Sequence, residues 1–156
     1  MGEQSRGDFL RAGSIAVVEL DAAETHPLRL EVLRADTPTR VVTFDGDDRP
    51  GTVHLGVRDG TTVVAVSTWI PGIYNGEQAV QLRGMATARH LQGRGVGAVL
   101  LESGCARAAK LAPLVWARAR DAALDFYVRH GFAIDGEGFI DETTQLPHHL
   151  IVRRLT

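Results

Sequence analysis

The sequence predicts a mixed α/β fold, and three observations carry that expectation. β-rich runs alternate with helix-patterned runs along the whole chain, Asp59-Gly60 joins two of the β-rich runs as a hairpin turn, and one strand leads through a glycine-rich loop into an apolar helix. At 156 residues the chain is the size of one ordinary domain, so residues 1–156 are read as a single unit, with 1–13 a mobile extension.

The elements follow in order. SIAVVEL (14–20) is β-branched and compact, as a first strand requires, and 21–34 carries Leu28, Leu30, Val32 and Leu33 at mixed helical spacing, with Pro27 near the helix start. TPTRVVTFDGDDRPG is rich in turn residues and reads as a short helix or loop. TVHLGVR and TTVVAVSTWI form the hairpin around Asp59-Gly60, PGIYNGE reads as a loop, and 79–87 is the next strand. After the glycines a helix runs from about Val96 to Lys110 and Pro113 closes it. Leu114 to Ala117 is a short buried strand, 121–130 is a helix capped by Gly131, and 132–140 and 149–155 are the closing strands. The order gives a layered α/β sandwich with a central βαβαβ half.

Composition narrows the partners. A formal charge of −2 with no block of basic residues gives no nucleic-acid footprint and no polybasic membrane anchor, so a small molecule or a peptide is the expected partner. The single cysteine, Cys105, lies among small residues on a helix, which leaves no intrachain disulfide or thiolate metal site and fits a reducing cytoplasm. MGEQSRGDFLRAG has no apolar core of a secretory signal.

QGRGVG, residues 92–97, is the most informative stretch. Alternating glycines before a helix aim several backbone N–H groups at one point, and the open first helical turn adds partial positive charge, which makes a cradle for phosphate. Gly95 and Gly97 present no β-carbon to an approaching phosphate, while Gln92 and Arg94 can add donors. The same glycines would also serve a tight turn and close helix packing alone. No Gly-Lys-Ser/Thr follows, the glycines are spaced by two rather than as G-x-G-x-x-G, and the next strand has no acidic residue for a ribose, so nucleotide-binding readings fall away.

In its context the segment resembles motif A of the GNAT superfamily of N-acetyltransferases, Q/R-x-x-G-x-G/A, here Gln92-x-x-Gly95-x-Gly97. Downstream, ARDAALDFYVRHGF resembles the family's A-x-x-F-Y-x-x-x-G-F signature, with Ala123, Phe126, Tyr127, Gly131 and Phe132 in register. The resemblance spans 80–132. It implies a mixed, mostly antiparallel sheet of about six to seven strands flanked by about four helices. It also implies acetyl-CoA as cosubstrate, with no metal. The cofactor's pyrophosphate would rest on Gln92, Gly93, Arg94, Gly95, Val96 and Gly97, and its pantetheine arm on Met85, Ala86 and Thr87. A backbone N–H near Met85 would hold the tetrahedral oxyanion. Arg118 stands where many relatives carry a cofactor-contacting Asn and is counted with the cofactor-binding residues, and Gln81, Arg83 and Met85 stand on the strand where many carry Glu.

The resemblance makes Tyr127 the acid for the departing thiolate. An ammonium acceptor must first lose a proton, and the candidates for that base are Glu77, His54 and the His148-His149 pair after Pro147, with His148 preferred. The acidic cluster Asp45, Asp47 and Asp48 is read as turn chemistry and Cys105 as a buried helix residue. The expected activity is transfer of an acetyl group to a primary amine of a small molecule or peptide by direct attack in a ternary complex. The alternative is a non-catalytic acyl-CoA sensor of the same fold, against which an intact Tyr127 counts. The same reading expects a cytoplasmic protein acting apart from membranes and nucleic acid; a homodimer is one assembly open to it.

Overall fold

A computed structural model describes residues 15–155; the expected mobility of 1–13 lies outside the described residues. Seven strands form one sheet in the order β1-β2-β3-β4-β5-β7-β6. They are β1 (Val17–Leu20), β2 (Val53–Asp59), β3 (Thr62–Tyr74), β4 (Glu77–Thr87), β5 (Leu114–Arg120), β6 (Ala133–Ile140) and β7 (Pro147–Arg154). Every neighbouring pair is antiparallel except β4 and β5. The helices are α1 (His26–Leu28), continued by a π turn at Arg29–Leu33, α2 (Val96–Ala108) and α3 (Leu124–Arg129). The described residues thus hold three α-helical segments rather than about four, because 34–52 closes as a chain of turns.

β3 is longer than its sequence pattern indicates. The PGIYNGE stretch is no loop: PGIY completes β3, and Asn75-Gly76, both at positive φ, make the two-residue hairpin turn into β4. Pro71 is tolerated there because β3 has by then outrun β2, whose pairing ends at Val53 opposite Trp69, and pairs with β4 alone. β5 similarly runs three residues past Ala117 to Arg120, in pairing with β7.

The apolar core lies between α2 and the sheet. Leu100, Leu101 and Val96 are fully buried against strand residues that include Leu55, Val66, Val80 and Val115. Gly104 is required midway along α2, since a β-carbon there would come within 1.8 Å of the Trp69 indole. Across the sheet from α2, Arg29 is buried completely. Its guanidinium donates to both carboxylate oxygens of Asp47 (2.8 and 2.9 Å), to the Val42 carbonyl (2.7 Å) and to Thr68 Oγ1 (2.8 Å). That network fastens the turn-rich 34–52 segment to β3. Removing one partner would leave a buried charge alone, at a cost of about 3–5 kcal/mol.

Two departures from regular pairing position the site. β4 and β5 pair only at Val80–Val115 and Gln81–Trp116, although β4 continues to Thr87 and β5 to Arg120, so the sheet is split between them beyond those rungs. β4 also gains one residue relative to β3: Thr68 faces Arg83 but Val66 faces Ala86, so a bulge falls at Gly84 and Met85. Gly84 adopts φ +59° and a β-carbon there would lie 2.6 Å from Phe44 Cε2, which explains the glycine.

The bulge re-aims the strand. Arg83 shares the face of Thr68, the side of Arg29, whereas Thr87 pairs with Ala65 and shares the face of Trp69, the side of α2. Odd-numbered β4 residues therefore point to one side of the sheet before the bulge and to the other side after it.

Candidate active site

Two cavities meet at this split. The first, of about 510 Å³, is walled by Met85, Ala86 and Thr87 from β4, by Gln92, Gly93, Gly95 and Gly97 from the glycine loop, and by Phe126 and Tyr127 from α3. The second, of about 380 Å³, is walled by Gln81 to Met85 of β4, Ala117 to Arg120 of β5, Arg34, Phe44 and His148. Met85, Ala123 and Tyr127 line both.

Local conformation explains the glycine loop. Gly93 and Gly95 sit at φ +77° and +85°, a region that branched side chains rarely adopt, and Gly95 caps α2. Gly97 is different: its backbone is ordinary, and an added β-carbon would meet Thr87 Oγ1 at 3.5 Å and Phe126 Cζ at 3.6 Å, so here the missing side chain keeps the cavity floor low. The first helical hydrogen bond runs from Val99 N–H to the Gly95 carbonyl at 3.1 Å. The N–H groups of Val96, Gly97 and Ala98 therefore have no carbonyl inside the helix to donate to. The Gln92 side chain donates to the Thr87 carbonyl at 3.0 Å and ties the loop to the end of β4. Arg94 is exposed, and the Val96 side chain is buried in the core, so Val96 offers its backbone alone.

Tyr127 is 9% exposed and packs edge-on against Phe126 and Phe132, with ring centroids at 5.2 and 5.5 Å. Burial pushes its phenol up to about 12, so the hydroxyl stays protonated throughout the neutral range. His148 is 5% exposed, stacks on Phe139 at 5.9 Å, and places Nδ1 2.9 Å from the Leu146 carbonyl. A carbonyl only accepts, so Nδ1 is the donor and Nε2 is the nitrogen left for another partner. His148 follows Pro147 at the start of β7 and faces Arg120 across the β5 ladder.

The other base candidates stand elsewhere. Glu77 is engaged by both terminal nitrogens of Arg154 (3.0 and 2.8 Å) at the far end of β4. His54 uses both ring nitrogens inside the Arg29 network, Nε2 donating to the Asp47 carbonyl at 3.1 Å and Nδ1 accepting from Thr68 at 2.8 Å. His149 Nδ1 lies 2.7 Å from Asp121 Oδ1. None of the three lines either cavity. The Cys105 thiol is buried, pushed up to about 11 by that burial, and also lines neither.

Arg118 lines the second cavity and not the one walled by the glycine loop, so it stands apart from the cofactor-binding residues with which the resemblance groups it. Its guanidinium donates to Asp141 Oδ2 at 3.0 Å and lies 4.7 Å above the Phe139 ring. Asp141 in turn accepts from the N–H groups of Thr143 and Thr144 (3.0 and 2.9 Å). Burial alone would raise its pKa, yet the Thr144 N–H and Arg118 overcome that and bring it down to about 2.

Arg34, Phe44, Arg83 and Arg120 line the second cavity as well and escaped the sequence reading. For Arg83 and Arg120 the signal was an alternation. In QLR on β4 and WARAR on β5, polar and small or apolar residues take turns, which sends Arg83, Arg118 and Arg120 to the face away from the core.

The comparisons with known proteins agree with this geometry. A family model described as "Acetyltransferase (GNAT) domain" matches residues 41–134. An uncharacterized N-acetyltransferase of Bacillus subtilis (strain 168), YitI, is 25% identical over 129 residues, 80% of this chain and 87% of that protein. Among solved structures, Escherichia coli ElaA matches with a TM-score of 0.76 at 18% identity, over 90% of this chain and 100% of that one. An aminoglycoside 6'-N-acetyltransferase complexed with coenzyme A matches with a TM-score of 0.69 at 11% identity, over 91% and 98%. The structural likenesses speak for the fold, and among the described residues no helix is long and apolar enough to cross a membrane. With both motifs placed on one cavity wall and the family model covering more than half of the sequence, the chain belongs to the GNAT family of acetyltransferases.

Proposed function

We propose that the chain transfers an acetyl group from acetyl-CoA to a primary amine by direct attack in a ternary complex. The observation that carries this reading is the meeting of two cavities at Met85, Ala123 and Tyr127, one walled by the glycine loop and the other open to an acceptor.

In this reading the open N–H groups at the start of α2 hold the pyrophosphate, and Met85, Ala86 and Thr87 carry the pantetheine arm beside the split in the sheet. His148 Nε2 takes a proton from the acceptor ammonium. The freed nitrogen lone pair attacks the thioester carbonyl, and the carbonyl π pair moves onto oxygen, where a backbone N–H at the β4 bulge stabilises it. Collapse re-forms the carbonyl and expels the CoA sulfur. Tyr127 donates its hydroxyl proton toward that sulfur while the surplus proton on the new amide nitrogen restores the phenol, so one proton passes from nitrogen to thiol. With the phenol near 12 and a thiol near 8.5, complete transfer from Tyr127 alone would be uphill by about 4–5 kcal/mol. The hydroxyl therefore acts by a hydrogen bond that strengthens as charge reaches sulfur, in concert with its own reprotonation.

The test is a thermal melt followed by a turnover screen. Acetyl-CoA at about 100 times its Kd contributes about 2.7 kcal/mol, a rise of about 5–11 °C in Tm for a domain of this size, whereas NAD leaves the melt unmoved. Gly97→Val, whose β-carbon meets only ordinary contacts but whose methyls fill the cavity floor, should fold and lose most of the CoA shift. A melt moved by NAD and not by CoA would refute the donor assignment. CoA binding with no thiol release across a broad amine panel would make the chain a sensor.

A further inference from the structure

Resting on the reading of the second cavity as the acceptor site, we propose that the acceptor amine also carries an oxyanion, a carboxylate or a phosphate, which the arginines of that cavity bind. Four guanidiniums, Arg34, Arg83, Arg118 and Arg120, line it against two carboxylates, Asp45 and Asp141. One of those carboxylates is already committed, since Asp141 pairs with Arg118.

The remaining three arginines form no ion pair among the described residues. Arg34 Nε donates to the Val41 carbonyl at 2.8 Å, Arg120 donates to the Leu33 carbonyl, and Arg83 makes only a long contact with the Asp45 carbonyl at 3.4 Å. Neutral carbonyls orient these side chains without cancelling their charge. Phe44 gathers them further: the guanidinium carbons of Arg83 and Arg34 lie 4.6 and 5.4 Å from its ring centroid, beside the buried Arg29 at 3.9 Å.

Such crowding opposes the fold in the absence of a ligand. Burial lowers the pKa of Arg34, Arg83 and Arg120 below the usual guanidinium range; for Arg34 repulsion from Arg120 and Arg83 adds to it, while Asp47 and Asp45 at Arg83, and Asp141 and Asp36 at Arg120, offset only part of the burial. A wholly structural use of these residues would favour neutral side chains or matching carboxylates. Of the acidic cluster that might have drawn a cationic acceptor, Asp47 is bound to Arg29 behind the cavity wall, which leaves Asp45 alone facing three arginines without an ion pair. Planar guanidinium forks match carboxylate and phosphate oxygens, and a charge-assisted contact of this kind is worth roughly 10- to 100-fold in affinity.

The experiment uses the full chain and matched acceptors: amino acids against their amides, and phosphoethanolamine against ethanolamine. Thiol release is followed with acetyl-CoA, and equilibrium binding of the same compounds to the CoA-bound protein is measured by calorimetry. The anionic member of at least one pair should exceed its neutral counterpart by about 10-fold or more in kcat/KM and in affinity, and which pair does so separates carboxylate from phosphate. Arg83→Gln, which removes the least hydrogen bonding, should raise KM for that anion about 10- to 100-fold, with CoA affinity unchanged and Arg83→Lys restoring part of the loss. Equal or better binding and turnover of the neutral members, with CoA bound normally, would overturn the anion site and leave the transferase standing. Anion binding sensitive to Arg83→Gln in a protein that CoA does not stabilise would do the reverse.

Discussion

Replacing Tyr127 by Phe separates packing from chemistry, because the ring and the hydroxyl do different things. The ring is held edge-on by Phe126 and Phe132, and Phe keeps both contacts. The hydroxyl forms no hydrogen bond with the described residues, so its loss leaves no orphaned partner, and stability should change by no more than about 0.5 kcal/mol, or about 2 °C in Tm. The kinetic effect is of another size. General acid assistance contributes about 10²- to 10⁴-fold, and a phenol pushed up to about 12 is a reluctant donor, which places Tyr127 in the lower half of that range. The expected fall in kcat is about 10²- to 10³-fold, equivalent to about 2.7–4.1 kcal/mol of activation free energy. Single-turnover acetyl transfer with saturating acetyl-CoA, alongside CoA affinity and a melt, provides the assay. A variant with near-parental chemistry would remove Tyr127 from the thiolate, and a loss of rate matched by loss of CoA affinity would make the hydroxyl a binding group.

Gly104→Ala tests the core: the new methyl would overlap the Trp69 indole, an overpacking cost at the upper end of about 1–3 kcal/mol that exceeds the gain of about 1 kcal/mol in helix propensity. Tm should fall by about 4–8 °C, and an unchanged or raised Tm would show that the indole has room to move. Asp141 tests the electrostatics of the second cavity's wall. Its folded pKa lies below the unfolded value, so it contributes stability that is present above about pH 4 and is lost as pH falls toward 2. Asp141→Asn should give a flatter stability profile than the parent between those limits, and parallel profiles would disprove the linkage.

The glycine-loop side of the candidate site was legible because its pattern is local. A cradle of the proposed kind needs glycines at particular offsets before a helix, and Gly93, Gly95 and Gly97 fall at such offsets within six consecutive letters. The second cavity was not legible because it is assembled from separated segments. Arg34 comes from the end of a π turn, Phe44 from a chain of turns, Arg83 from β4, Arg120 from β5 and His148 from β7, and nothing in their sequence spacing joins them. The bulge at Gly84 and Met85 was equally hidden, since a strand gains its extra residue only relative to a partner. Asn75-Gly76 was a readable hairpin signal that the neighbouring Pro71 and Gly72 concealed by making the whole stretch look like a loop. The two short helices were legible in place but not in extent: within the helix-patterned stretches 21–34 and 121–130, α1 spans only three residues and α3 six, because packing rather than propensity holds them.

Since β4 turns its residues to opposite sides at the bulge, the two ligands of the proposed complex would reach a single strand from different directions and share only Met85, Ala123 and Tyr127. Neither would have to pass through the other's entrance, so access imposes no order of arrival or departure. Any preference for order must then come from the three shared side chains. If the donor settles Met85 and Tyr127 in the positions that the acceptor requires, it raises acceptor affinity by some factor, and the acceptor must raise donor affinity by that same factor. Measuring either half of this reciprocity gives the other.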